Sequence, residues 1–301
     1  MQRLTILFIF LLFSVISYAQ SDFYWSGGSG SSDNIDQGAN WFSGTNPSAG
    51  DNLYFNNTTG GRYEPYSNYG TGSWFNYIIT YSGGGAITWR GDLTWANKFE
   101  CASGNGDLFT IEASIGNRTG SDMEINPVGA GGIKVEGNIV ISGGRVLRIY
   151  GTNQLEVTGS ISASDGNTPD LSIEQAATVI LKGSSNTLSG STTVKAGILQ
   201  LEDNLSDSEI TVQSGGTLKI NGSSVTVKSL TIDDGGDLSI EVDMGLTVTG
   251  NLVNNGDIRI QSDANGTGSL ILNGTISGSG TNTIERYIAG YTTSSNGWHF
   301  L

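Results

Sequence analysis

The first chemistry to weigh lies in the acids. Asp233, Asp234, Asp237, Glu241 and Asp243 fall within one short stretch. Glycoside hydrolysis needs two carboxyl groups facing each other across a scissile bond. Lyase chemistry needs a base such as Lys or Arg beside a cation. Here the bases are thinly spread as Lys182, Lys195, Lys219, Lys228 and Arg259. Lys219 and Arg259 alternate with apolar neighbours, which points them outward. No acid and base set gathers as a cleft would require. The acids read as solvated turn and outer-face groups, and no catalytic residue is expected.

Two loops offer oxygen ligands for calcium: Asp233-Asp234-Gly-Gly-Asp237 and Asp203-Asn204-x-x-Asp207. Neither spacing fits an EF-hand loop or the Gly-Gly-x-Gly-x-Asp nonapeptide. The expectation is no cofactor, with Asp233, Asp234 and Asp237 the candidates for a low-affinity calcium site. Ordinary turn chemistry accounts for them otherwise. A third candidate is carbohydrate contact: Tyr63, Tyr66, Tyr69, Trp74 and Tyr77 lie close together among Gly and Asn. Exposed rings of this kind stack on sugars; bulky rings equally serve to cover the open end of a repeat. Cys101 and His299 are the only Cys and the only His. No intrachain disulfide is available, and a Cys–His nucleophile is not expected from residues so far apart. Sequons such as Asn117-Arg-Thr119, Asn221-Gly-Ser223 and Asn273-Gly-Thr275 would mark glycosylation in a secreted eukaryotic protein; otherwise the Asn-Gly pairs are turns.

The elements that must carry these residues repeat. Val179-Ile-Leu181, Leu199-Gln-Leu201, Leu218-Lys-Ile220, Leu238-Ser-Ile240 and Ile258-Arg-Ile260 recur about every twenty residues. A fixed period of this size marks a repeat architecture. Each triplet is a short strand with one apolar face, and the last three follow Gly-containing turns. One such strand cannot bury its face alone, so the chain must coil and stack it inside a tube. A second pattern, apolar-x-apolar-x-Gly-x-apolar, starts at Ile133, Leu155, Leu246 and Leu270. Its Gly lets the backbone turn a tube corner without a Cβ. An antiparallel sandwich also has short strands and Gly turns, but does not usually keep so constant a spacing. Phe109-Thr-Ile111 is the expected strand within residues 102–132. Gly183–Ser191 and Asp203–Asp207 read as loops.

Residues 21–100 differ from the rest, holding 17 of the 27 aromatics. They open Trp25-Ser-Gly27-Gly28, pass through Asn40-Trp41, and reach Pro47-Ser-Ala-Gly50-Asp51-Asn-Leu53-Tyr-Phe55. This opening resembles the start of bacterial autotransporter-associated β-strand repeat proteins. Asn186-Thr-Leu-Ser-Gly190-Ser-Thr-Thr-Val194-Lys-Ala-Gly197-Ile-Leu199-Gln-Leu201 is similar to the repeat itself, with Leu188 where the family has an aromatic. The resemblance covers the N-terminal segment and one clear copy. It implies a secreted, surface-displayed, right-handed β-helix with no defined active site. It also favours a cap over a sugar platform, since Trp25, Trp41 and Phe55 belong to the family's opening pattern.

Composition and targeting agree with that class. The chain has 45 Gly, 4 Pro and 14% charged residues, which suits an ordered, turn-rich all-β protein. Arg3, the apolar run Leu4–Ile16 and Ser17-Tyr18-Ala19 form a signal peptide, so the mature chain is expected to start at Gln20 or Ser21. Without Arg3, thirteen basic residues face 28 acidic ones, a net charge of −15. That disfavours nucleic acid and anionic lipid as partners. No later segment reads as a membrane span. The aromatic-apolar run Trp298-His-Phe300-Leu301 reads as a strand whose continuation lies in further C-terminal modules.

The sequence therefore predicts residues 1–20 as signal peptide and 21–100 as an aromatic-rich cap with the first rungs. Residues 101–285 are predicted as a parallel β-helix, and 286–301 as the start of a truncated segment. The expected function is a secreted, non-enzymatic stalk or adhesin-like passenger at the bacterial cell surface, meeting glycans or other surfaces. A carbohydrate-binding or polysaccharide-degrading β-helix is the alternative.

Overall fold

A computed structural model describes residues 20–287, apart from 29–32, 56–63, 69–73, 82–84, 119, 143, 165 and 185. Residues 1–19 of the expected signal peptide, Tyr63, Tyr69 and the C-terminal run from residue 288 lie outside the described residues. What is described is all-β, with one 3-10 turn at Gly38–Asn40. Eleven strands, one per coil, form one sheet, and the others form a seventeen-stranded sheet.

The near-twenty ladder is literal. Val179, Leu199, Leu218, Leu238 and Ile258 pair in parallel, each directly over the last. Leu181, Leu201, Ile220, Ile240 and Ile260 make the neighbouring column, and all ten are at most 9% exposed. Burying each such side chain contributes roughly 1.5–3 kcal/mol. Lys219 and Ser239, between them in sequence, face outward as the period of two requires.

Each coil has three sides, and the corner between two of them is visible within single strands. In Val225–Ile232, Val225 and Val227 point in, Lys228 and Ser229 both point out, and Leu230 and Ile232 point in again. The first half pairs with Gly245–Val248 and the second with Leu252–Asn254. The Gly-containing pattern marks such corners, but two different ones. At Gly137 and Gly159 it leaves the eleven-stranded sheet, while at Gly250 and Gly274 it joins two sides of the larger sheet. None of these four glycines has a positive φ. A Cβ on Gly159 would instead strike the Gly137 carbonyl, and one on Gly183 the Gly159 carbonyl. Close stacking of corner on corner requires glycine there.

One expected loop is corrected, and the other, Gly183–Ser191, stands in its described residues but for Ser191. Leu205–Val212 is one continuous strand with Leu205 fully buried, so Asp203–Asp207 is not a loop throughout. Its regularity was hidden because Ser206 and Asp207 lie outside a corner whose inner residues are Leu205 and Ser208. Ser191 opens the strand Ser191–Val194, and Leu188 is buried at 1%, filling the interior where an aromatic was the alternative. Residues 102–132 hold Phe109–Ile111 as expected, and also Ile115–Gly116 and Met123–Pro127.

Coiling begins at the start of the expected cap segment. Asp22–Tyr24 pairs in parallel with Asn52–Phe55, which pairs with Trp74–Thr80. At the other end no described coil covers the last one, and its Ile276 and Ile284 are 57% and 71% exposed. No described helix is long and apolar enough to cross a membrane.

Candidate functional site

The aromatic segment divides by face. Phe23, Trp25, Trp41, Phe55 and Trp89 turn inward and pack edge to face, with Trp25 and Trp41 centroids 5.1 Å apart at 86°. The buried indole N–H of Trp41 donates to the Ile35 carbonyl at 2.7 Å, and that of Trp89 to Thr94 Oγ1 at 3.0 Å. These polar handles are satisfied, as burial demands.

The outward set forms a column. Alternation places Tyr24 and Tyr54 outside because Phe23, Trp25, Leu53 and Phe55 are inside. Parallel register puts Tyr24 beside Tyr54. Their rings stack at 4.9 Å and 16°, and Tyr81 continues the column at 5.8 Å from Tyr54. Tyr24 and Tyr81 remain 46% and 40% exposed. Burial, then the neighbouring Asp22 carboxylate, pushes the Tyr54 hydroxyl up to about 12. Burial and Glu100 raise that of Tyr81. Tyr54 and Tyr81 therefore stay neutral phenols at ordinary pH.

Beside this column runs a second one made of amides. Asn97 donates to Asn76 at 3.0 Å, Asn76 to Asn52 at 3.1 Å, and Asn52 to Asp22 at 2.8 Å. The chain is directional, and the buried Oδ1 of Asn97 is left without a partner. Farther along, a cleft of about 170 Å³ opens beside Asn76 and Asn97, walled by Trp74, Asp51 and Arg118. The Arg118 guanidinium lies over the Trp74 ring at 3.9 Å, and Lys98 over Tyr77 at 4.5 Å. Gly50, at φ +94°, is held to glycine by the same ring, since a Cβ would sit 2.9 Å from the indole.

Of the aromatics expected from sequence, the described Trp74 and Tyr77 share the strand Trp74–Thr80, and Tyr66 stands apart from them. Trp74 is half-buried in this cleft, whereas Tyr66 is exposed on the first strand of the other sheet. Tyr24, Tyr54 and Tyr81 were missed, because their spacing in sequence looks irregular. The signal that finds them is their position: each lies next to an inward aromatic or strand end in successive coils.

The acids divide between two corners. Asp233, Asp234 and Asp237 precede or open the strand Asp237–Ile240, while Glu241 and Asp243 follow it. Asp237 and Glu241 are about 13 Å apart along one strand, not opposed across a cleft. Glu241 accepts from Ser239 at 3.0 Å and Gln261 at 2.9 Å. Asp237 pairs in register with Asp257, and burial plus that neighbour raise its carboxyl above its usual value. Among the described residues no three His, Cys, Asp or Glu side chains are placed to hold a metal. Cys101 points inward, and burial raises its thiol. The Asn117 amide is buried and bonded to Ser121 and Ser142.

Outside the aromatic coils, the outer faces carry ladders of charge between coils. Asp122, Arg148, Glu174 and Lys195 alternate in sign over successive coils, joined at 3.1, 2.7 and 2.8 Å. No family model, curated protein or solved structure matches this chain.

Proposed function

We propose that this is a secreted, non-enzymatic surface stalk of the adhesin-like passenger type, with the inward aromatics as its N-terminal cap. The observation that carries the reading is the parallel pairing of coil on coil in both sheets, from Asp22–Tyr24 to Thr281–Ile284, with one register shift between Leu205 and Glu209. Side chains on the outside are used largely to tie coil to coil, as in the Asp122–Arg148–Glu174–Lys195 ladder. Eleven strands at the ~4.8 Å inter-strand spacing give a rod of about 48 Å. The signal-like N-terminus and the resemblance to autotransporter-associated repeats support export to the surface of a Gram-negative cell.

The test is protease shaving of intact Gram-negative cells expressing the full chain, with N-terminal sequencing of the product. The expected result is a surface-accessible protein beginning at Gln20 or Ser21. A protein that retains Met1 and stays protected until lysis would overturn the reading. The cap is tested by a shortened chain beginning near Gly129, which exposes an unpaired coil edge and is expected to aggregate. If it stays soluble and monomeric, the inward aromatics are not a cap.

A further inference from the structure

We propose that the outer face of the first coils binds a neutral polysaccharide chain lying along the solenoid axis. Two columns run side by side in that direction. One is the tyrosine stack Tyr24–Tyr54–Tyr81. The other is the amide ladder Asp22–Asn52–Asn76–Asn97. Within the column the ring faces cover one another, so it turns ring edges and phenolic hydroxyls outward, and these with the amides offer donors and acceptors to the hydroxyl rim of a pyranose. The rings are already stacked on one another, so little side-chain entropy remains to be lost when a ligand covers them. Tyr24 and Tyr81 are 46% and 40% exposed, although burying aromatic area is among the largest gains a side chain can make.

The amide ladder adds a direction. Every amide in it donates to the next, so its first acceptor, Asn97 Oδ1, is buried with no donor. It lies in the wall of the cleft shared with Trp74 and Arg118. A hydroxyl entering that cleft would supply the missing hydrogen bond, and an unpaired buried acceptor costs about 1–3 kcal/mol.

Charge selects the class of glycan. The chain is strongly acidic, and Asp22, Asp51 and Glu100 lie on or beside this face. Lys98 sits over Tyr77 and pairs with Glu100 at 3.1 Å, which leaves Arg118, over Trp74, as one cation against Asp22 and Asp51. A polyanion such as alginate would meet uncompensated repulsion, whereas an uncharged hexose or pentose polymer would not.

The experiment is native affinity electrophoresis of the full chain in gels containing laminarin, mannan, xylan or alginate. The expected result is retardation by at least one neutral polymer and none by alginate. Tyr24→Ala combined with Tyr81→Ala should abolish it, and Tyr66→Ala, on the other sheet, should leave it unchanged. Tyr81→Leu keeps apolar cover without the phenolic ring, and should weaken binding about tenfold with an unaltered circular dichroism spectrum. Asn97→Leu, which removes the orphan acceptor, should weaken it as well. Retardation by alginate alone, by none of the neutral polymers, or equally in the Tyr81→Leu variant and the parent would overturn the proposal.

Discussion

Leu218 lies directly beneath Leu238 in the parallel ladder, with both side chains essentially fully buried. Their separation of twenty residues is one full circuit of the chain. Every inward position is therefore held from above and below by its own counterparts. Leu238→Asp places a charge in that column with no partner, and should cost about 4 kcal/mol or more. Lys219→Gln, one position along and facing out, should stay within about 0.5 kcal/mol. Equilibrium urea unfolding of both variants and the parent checks this. Equal midpoints for Leu238→Asp and the parent would contradict the inward assignment.

The corner glycines carry a second prediction. Gly159 sits between Gly137 and Gly183, each approaching the next through a carbonyl with no room for a Cβ. Gly159→Ala forces the coils apart at that corner, with an expected loss of about 1–3 kcal/mol. Gly144, at φ +59° with nothing near its Cβ, would suffer only conformational strain. Thermal melts should thus rank Gly159→Ala below Gly144→Asn, because Asn tolerates the left-handed region.

How far these features could be read beforehand depends on whether they are local. The inward columns around Leu218 and Leu238 were legible because a strict period of two sits inside a period near twenty. Leu205 was hidden because Asp203–Asp207 has turn composition although its backbone continues a strand around a corner. The two roles of the Gly-containing pattern were also hidden. Gly137 and Gly250 have the same local sequence surroundings and differ only in which side of the coil precedes them. The outer tyrosines were the least legible, since Tyr24, Tyr54 and Tyr81 come together only through the irregular lengths of the first coils.

The ion-pair ladder yields a pH dependence. Burial alone would raise the Glu174 carboxyl, but hydrogen bonds from Lys195, Ser172 and Arg148 outweigh it and hold it below its usual value. A depressed carboxylate contributes stability that is complete above the unfolded value, ~4.3, and is lost as pH falls through the folded one. Its side chain is only 12% exposed, so the pairs are screened less than surface ones. Glu174→Gln should cost about 1–2 kcal/mol at pH 7, between the surface and buried limits. The gap to the parent should close as unfolding is measured at progressively lower pH below 4. A gap that persists undiminished in that range would assign the loss to packing and not to charge.

Asp237 has the opposite sign. It stands in register with Asp257, and burial followed by that like charge raises its carboxyl. An acid whose folded value is raised binds its proton more tightly when folded, so its ionised form costs stability at every pH above that value. The cost disappears as pH falls below the unfolded value, ~3.9, where the carboxyl is protonated in both states. Asp237→Asn keeps the shape and removes the repulsion. Because the residue is largely exposed, solvent screening limits the gain to a few tenths of a kcal/mol at pH 7. Asp257→Asn should give a similar gain, and the double variant little more than either, since one interaction is removed in each case. Added millimolar calcium is the discriminating condition. If it stabilises the parent by more than the Asn variants gain, Asp237 and Asp257 are ligands for the ion. If calcium leaves the melting temperature of the parent unchanged, the stacked pair is a repulsion that the ladder tolerates because Leu238 and Ile258 beneath it are packed.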